Sequence, residues 1–134
     1  MDILRAFQDF DVVCVQECFG GMHSDIRDKF IAMTVKSGFL YHVSDDAPSF
    51  SSTYISDGGV MVLSRFPIVA HSAHPYAYSQ ETDGLVRRGA IYAKIQLKEK
   101  QNLHIFTSHL CSTHFWPPDR APGVTEMALE CRKL

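Results

Sequence analysis

A short apolar run, Val12-Val13-Cys14-Val15, ends in Gln16-Glu17, and this junction constrains the chain more than any other stretch. Branched residues in so short a run read as a strand packed on both faces. An unpaired carboxylate is costly to hold out of water. Glu17 therefore stands at the exposed end of the strand with a partner, or it holds a cation. A surface carboxylate or helix cap just past a strand fits the local pattern as well.

Elements on either side follow from spacing. Ile3, Leu4, Phe7 and Phe10 recur at helical intervals, which predicts a helix over residues 1–10. Gly20 and Gly21 permit a sharp turn. Ser24 and Asp25 can open a second helix, with Ile26, Phe30 and Met33 as its expected apolar face and Gly38 as its left-handed end. Residues 39–43 and 60–63 read as strands; Pro67 lies just past the second, where it removes no central ladder bond. Residues 68–77 alternate and are expected to pair antiparallel with a neighbour. Residues 87–95 and 103–110 read as two strands joined by a turn at 98–102. The polar stretches 44–56 and 79–85 read as loops, as does 112–123, which carries three prolines and the only tryptophan. There, Phe115 and Trp116 can either insert at a membrane or substrate surface or staple the loop to the body. Thr125 can cap a last helix. No repeat or linker interrupts the pattern, so one unit is expected. Helices alternating with hairpin-joined strands predict an α/β fold with a mixed, largely antiparallel sheet and helices on one face.

Composition narrows the function classes. With 13 Lys and Arg against 15 Asp and Glu, the net charge is −2, which argues against a domain that coats nucleic acid with positive charge. It leaves room for an enzyme that neutralises phosphate locally with a divalent cation. No apolar run approaches the roughly 20 residues a spanning helix needs. No basic-then-apolar leader is visible, so a cytoplasmic location is expected, with association at a membrane left open. The four cysteines, Cys14, Cys18, Cys111 and Cys131, form no zinc-type doublets and are expected as free thiols.

Four features then stand together: Gln16-Glu17 closing a strand; Asp57-Gly58-Gly59 opening one that ends Ser64-Arg65-Phe66-Pro67; Arg87-Arg88-Gly89 opening another; and Thr107-Ser108-His109-Leu110 closing the last. In this order they resemble the endonuclease/exonuclease/phosphatase superfamily, magnesium-dependent phosphoesterases that include DNase I. The segments from Asp57 to Ile68 and from Arg88 to Ile95 look most like neutral sphingomyelinases.

The resemblance implies half of a four-layer α/β/β/α sandwich, and it implies roles. Glu17 matches the magnesium ligand; Mg²⁺ takes one or two carboxylates and keeps waters or substrate phosphate elsewhere, which suits a lone strand-end glutamate. Gln16 would support the glutamate or the backbone. His109 matches the histidine that donates to a phosphate oxygen or helps protonate the leaving group; on position alone it reads as a histidine bonded to backbone. Arg88 matches a basic residue near the scissile phosphate, where a guanidinium fork fits. Asp57 would pair with His109 or touch a second cation, and equally reads as an ordinary Asp-Gly turn.

Further implied residues do not occur in this sequence. They are an asparagine on a preceding strand, a later Asp-x-Asn pair, and a final Asp-His pair whose histidine activates water. Residues 1–134 are therefore expected to be a partial domain, the N-terminal half of such an enzyme, poor at hydrolysis by themselves and exposing an apolar sheet face. The implied activity is hydrolysis of a phosphodiester, sphingomyelin giving ceramide and phosphocholine, with Mg²⁺ as cofactor, a sphingolipid as substrate and a possible peripheral contact with membrane. The rival readings are a nuclease or other phosphoesterase of the same superfamily, with nucleic acid the less favoured substrate, and an inactive truncated protein that binds a partner.

Overall fold

The computed structural model of the chain describes residues 3–20, 24–45, 54–76 and 85–110. Helix α1 (Ile3–Ala6) is shorter than its spacing predicts. The helical path continues to Phe10 as tighter turns, with Phe7 N donating to Leu4 O (3.2 Å) and Phe10 N to Phe7 O (3.1 Å). Strand β1 (Val12–Val15) follows, then α2 (Ser24–Lys36). Gly38 ends α2 at φ 93°, with Phe39 N on Thr34 O and Gly38 N on Val35 O, both at 3.0 Å. That paired closure needs a left-handed residue, which glycine supplies without strain.

Strands β2 (Tyr41–Ser44) and β4 (Met61–Ser64) form a sheet with β1 in the order β1-β4-β2, both pairings antiparallel. Strands β3 (Ser56–Asp57) and β6 (Val86–Arg87) make a short parallel bridge. Strands β5 (Ile68–Pro75), β7 (Gly89–Lys98) and β8 (Gln101–Ser108) form an antiparallel sheet in the order β5-β7-β8. Lys98 faces Gln101 across the β7–β8 turn, and a register shift between Gln96 and Lys98 accommodates it.

Alternation along β4 splits the core. Met61 and Leu63 face one way, packing with Phe39 against Phe7, Phe30 and Ile31 of the helical layer. Val60 and Val62 face the other, packing with Ile91, Ala93 and Ile95 of β7. The described residues thus stack as helices, sheet, sheet. The central strand of the first sheet, β4, is covered on both faces, while β1 and β2 at its edges stay partly exposed. The second sheet's outer face presents Tyr92, His104 and Phe106 in ring contact.

Two further expectations shift. The sheet-facing line of α2 is Arg27, Phe30 and Ile31, half-buried, and Thr34, fully buried; Ile26 is 60% exposed and Met33 47%. The helix is turned so that Arg27 reaches Asp57 beneath it. Arg65, beyond β4, donates to Phe10 O and Ser37 O and lies 4.4 Å over the Phe39 ring, clamping the ends of both helices to the sheet. The expected last helix, the loop with Phe115 and Trp116, and Cys111 and Cys131 lie outside the described residues. Cys14 and Cys18 are free thiols, as expected. Burial pushes both thiols up.

Candidate active site

Antiparallel pairing of Val15 with Met61 sets the C-terminal tip of β1 beside the approach to β4. Pairing of Ala90 with Ser108 sets the start of β7 beside the end of β8. Face-to-face packing of the two sheets then brings all four ends together. Gln16 Nε2 donates to Ser108 O at 2.7 Å, a bond between residues 92 apart that ties the tips of the two sheets. This is the supporting role expected of Gln16. His109 N donates to Gly89 O at 3.2 Å, and Ser108 Oγ bonds the Tyr76 hydroxyl and Gly89 O.

Glu17 stands just past β1 at φ 61°, the one non-glycine residue with positive φ among those described. Its side chain is 72% exposed, and Oε1 lies 3.7 Å from His109 Nε2. Glu17 thus stands at an exposed strand end with the imidazole as its neighbour, which leaves the carboxylate open to a cation. Gly59, itself at φ 66°, presses against this turn: a Cβ there would come within 3.0 Å of the Glu17 Cα and 2.8 Å of Cys18 N. Cys18 N donates to Gly59 O at 2.9 Å. The second glycine of the Asp-Gly-Gly turn is thus what lets the glutamate tip and the β4 approach touch.

His109 is 12% exposed in its side chain, and its Nδ1 lies 2.7 Å from Gly58 O. A carbonyl only accepts, so Nδ1 carries a proton and Nε2 is the atom turned toward Glu17. The Phe19 ring lies 6.4 Å from the imidazole, centre to centre.

Asp57 is fully buried and does not touch His109. Its oxygens accept from Gly20 N (3.1 and 3.0 Å), Arg27 Nη1 (3.0 Å) and Gly59 N (2.9 Å). A buried carboxylate with this many donors is compensated. The peptide between Gly58 and Gly59 joins the two residues all the same, its N–H on Asp57 and its C=O on His109. Arg88 is half-buried in the β6–β7 connection, where its O accepts from Tyr76 N at 2.9 Å. Its Cα would lie 3.1 Å from a Cβ on Gly58, so its backbone passes beside the carbonyl that holds the histidine.

Sequence reasoning passed over Asp45. Its Oδ2 accepts from Gly58 N at 2.8 Å. Burial first, then the Asp57 carboxylate, push its carboxyl up to about 7. It also lines a cavity of about 60 Å³ with His74, Pro75, Arg87 and Gly89, room for a few waters. A polar run without spacing gave no signal for it. Among the described residues no three His, Cys, Asp or Glu converge as a closed metal cage. A lone exposed carboxylate beside an imidazole fits Mg²⁺, which leaves most of its positions to water and phosphate, and does not fit structural zinc.

The model of the Endonuclease/Exonuclease/phosphatase family matches residues 1–129. A sphingomyelinase of Dictyostelium discoideum is 30% identical over 129 residues, 90% of this chain and 28% of that protein. Sphingomyelinase C of Listeria ivanovii is 31% identical over 105 residues, 74% of this chain and 31% of that protein. Among solved structures, a beta toxin from Staphylococcus aureus with bound magnesium ions superposes with a TM-score of 0.79 at 25% identity, covering 98% of this chain and 50% of that one. The chain spans about a third or less of the two sphingomyelinases and half of the toxin.

Proposed function

This chain belongs to the endonuclease/exonuclease/phosphatase family, and from there we propose that it is part of a magnesium-dependent phosphodiesterase acting on a lipid, with sphingomyelin cleaved to ceramide and phosphocholine. The observation that carries the reading is the meeting of Glu17 and His109, 3.7 Å apart, at the joined tips of two sheets. The two sphingomyelinase relatives support the lipid substrate. A peripheral contact with a membrane surface, where such a substrate resides, belongs to the same proposal.

Glu17 would hold the magnesium ion, which when bound supplies electrostatic stabilisation of a phosphoryl group and its leaving oxygen. The chain's own residues would bind and orient the phosphate around it. His109, with Nδ1–H fixed on Gly58 O, presents Nε2 at a set angle toward the phosphate position, where it donates when protonated. Arg88 would face a phosphate oxygen. Asp57 acts at one remove, holding the Gly58–Gly59 peptide on which the histidine rests and anchoring Gly20 and Arg27 behind Glu17.

The test is Mg²⁺-dependent release of phosphocholine from sphingomyelin, set against cleavage of plasmid DNA, for the longest product carrying this chain. Lipid turnover that Glu17→Gln abolishes is the expected result. DNA cleavage in its place would move the protein to the nuclease branch, and wild-type rates in Glu17→Gln would remove the metal assignment. Residues 1–134 alone are expected to give no turnover above background, because among the described residues no group beside Glu17 and His109 is placed to deprotonate water.

A further inference from the structure

His109 owes its orientation to one acceptor, Gly58 O, so whatever fixes Gly58 fixes the imidazole. Gly58 is gripped on both sides. The N–H of the following residue, Gly59, is bound by Asp57, and its own N–H is bound by Asp45 Oδ2 at 2.8 Å. Space around it is tight: a Cβ on Gly58 would lie 3.1 Å from the Arg88 Cα and from Asp45 Oδ2, and 3.2 Å from Arg87 O. Asp45 is itself set by its place at the end of β2, where its N donates to Val60 O at 3.2 Å.

We propose that Asp45 is a positioning residue for His109, acting through the Gly58 peptide. It rests on the role given to His109 above and adds a residue that neither the motifs nor the family resemblance marked. Asp45 sits in a place that is unfavourable for a carboxylate. Oδ1 is buried without a hydrogen-bond partner among the described residues, and the charge of Asp57 is close by. A group kept there against burial and like charge has a use for the bonds it makes, and beyond its own backbone its bond is to the residue carrying the histidine's acceptor. Asp57 is tied to Gly20 and Arg27 as well; Asp45 Oδ2 is given to Gly58, so Asp45 can be varied without releasing that anchor.

The experiment reads the tautomer of His109 by imidazole ¹⁵N–¹H correlation spectra of the 134-residue chain. Wild type is expected to show a protonated Nδ1. In Asp45→Asn the amide oxygen still accepts from Gly58 N, so the Nδ1–H signal should persist. In Asp45→Ala, and in Asp45→Ser, whose hydroxyl is too short to reach, the ring should revert toward the Nε2–H form that free imidazole prefers, with at least half of the Nδ1–H signal lost. An unchanged signal in a folded Asp45→Ala or Asp45→Ser variant overturns the proposal. So does loss of the signal in Asp45→Asn, whose neutral side chain is the least disruptive to folding. Because the readout is a spectrum and not turnover, it stands or falls separately from the metal assignment tested by Glu17→Gln.

Discussion

Glu17 occupies a left-handed conformation that glycine adopts freely and other residues enter at a cost of roughly 1–2 kcal/mol. Replacement by glycine should therefore leave a chain about 1 kcal/mol more stable than replacement by alanine, which keeps the strain. Urea unfolding of Glu17→Gly and Glu17→Ala measures the difference, and equal midpoints would mean that the turn relaxes without cost. Asp57 is the opposite case, a buried charge whose partners all depend on it. Asp57→Ala strands Arg27 and the backbone N–H groups of Gly20 and Gly59 and should lose about 3–5 kcal/mol in the same assay. A loss under 1 kcal/mol would show that water replaces the carboxylate. Both positions were legible as chemistry-bearing residues at strand ends. The backbone conformation of Glu17 and the bond from Asp57 to Arg27, thirty residues away, were not, because neither is encoded in neighbouring residues.

Helix α2 shows what periodicity misses. Ile26, Phe30 and Met33 lie at helical spacing, yet the sheet-facing line runs Arg27, Phe30, Ile31, Thr34, one residue round. Thr34 is fully buried and bonds Ile31 O at 2.9 Å, so its polar atom needs nothing from the core. Phe30→Ala should cost about 3 kcal/mol, while Ile26→Ser should stay within about 0.5 kcal/mol of wild type. Thermal or urea unfolding of the pair decides the rotation; a large loss at Ile26 would restore the face that the apolar spacing suggested. Strand β4 was easier to read. Its continuous apolar run is buried on both faces, Met61 and Leu63 toward the helices and Val62 toward β7. The similar run in β1 is only half-buried, with Cys14 exposed, because in the described sheet that strand lies at the edge.

Across the whole molecule, Asp45 links stability to pH. Its carboxyl is pushed from 3.8 up to about 7, by burial first and then by Asp57, against the opposing effects of Gly58 N and Arg27. Between these values the folded chain holds a proton that the unfolded chain has released. The contribution is whole below about pH 4 and is lost as pH rises through about 7. Each pKa unit corresponds to about 1.4 kcal/mol, so the urea midpoint should fall from about pH 4 to about pH 7, and Asp45→Asn should flatten that slope. An equal slope in the variant would place the titrating group elsewhere. The sequence by itself determined the order of the two described helices and the longer strands, but not the short β3 and β6, and it showed which residues close strands with a carboxylate or an imidazole, because these follow from local spacing and turn chemistry. Only the tertiary structure decided that two sheets pack face to face, that Gln16 reaches Ser108 across 92 residues, and that buried carboxylates brace the carbonyl under His109. Those contacts arise where separate strand ends converge in space, and no periodicity along a chain records which ends will meet.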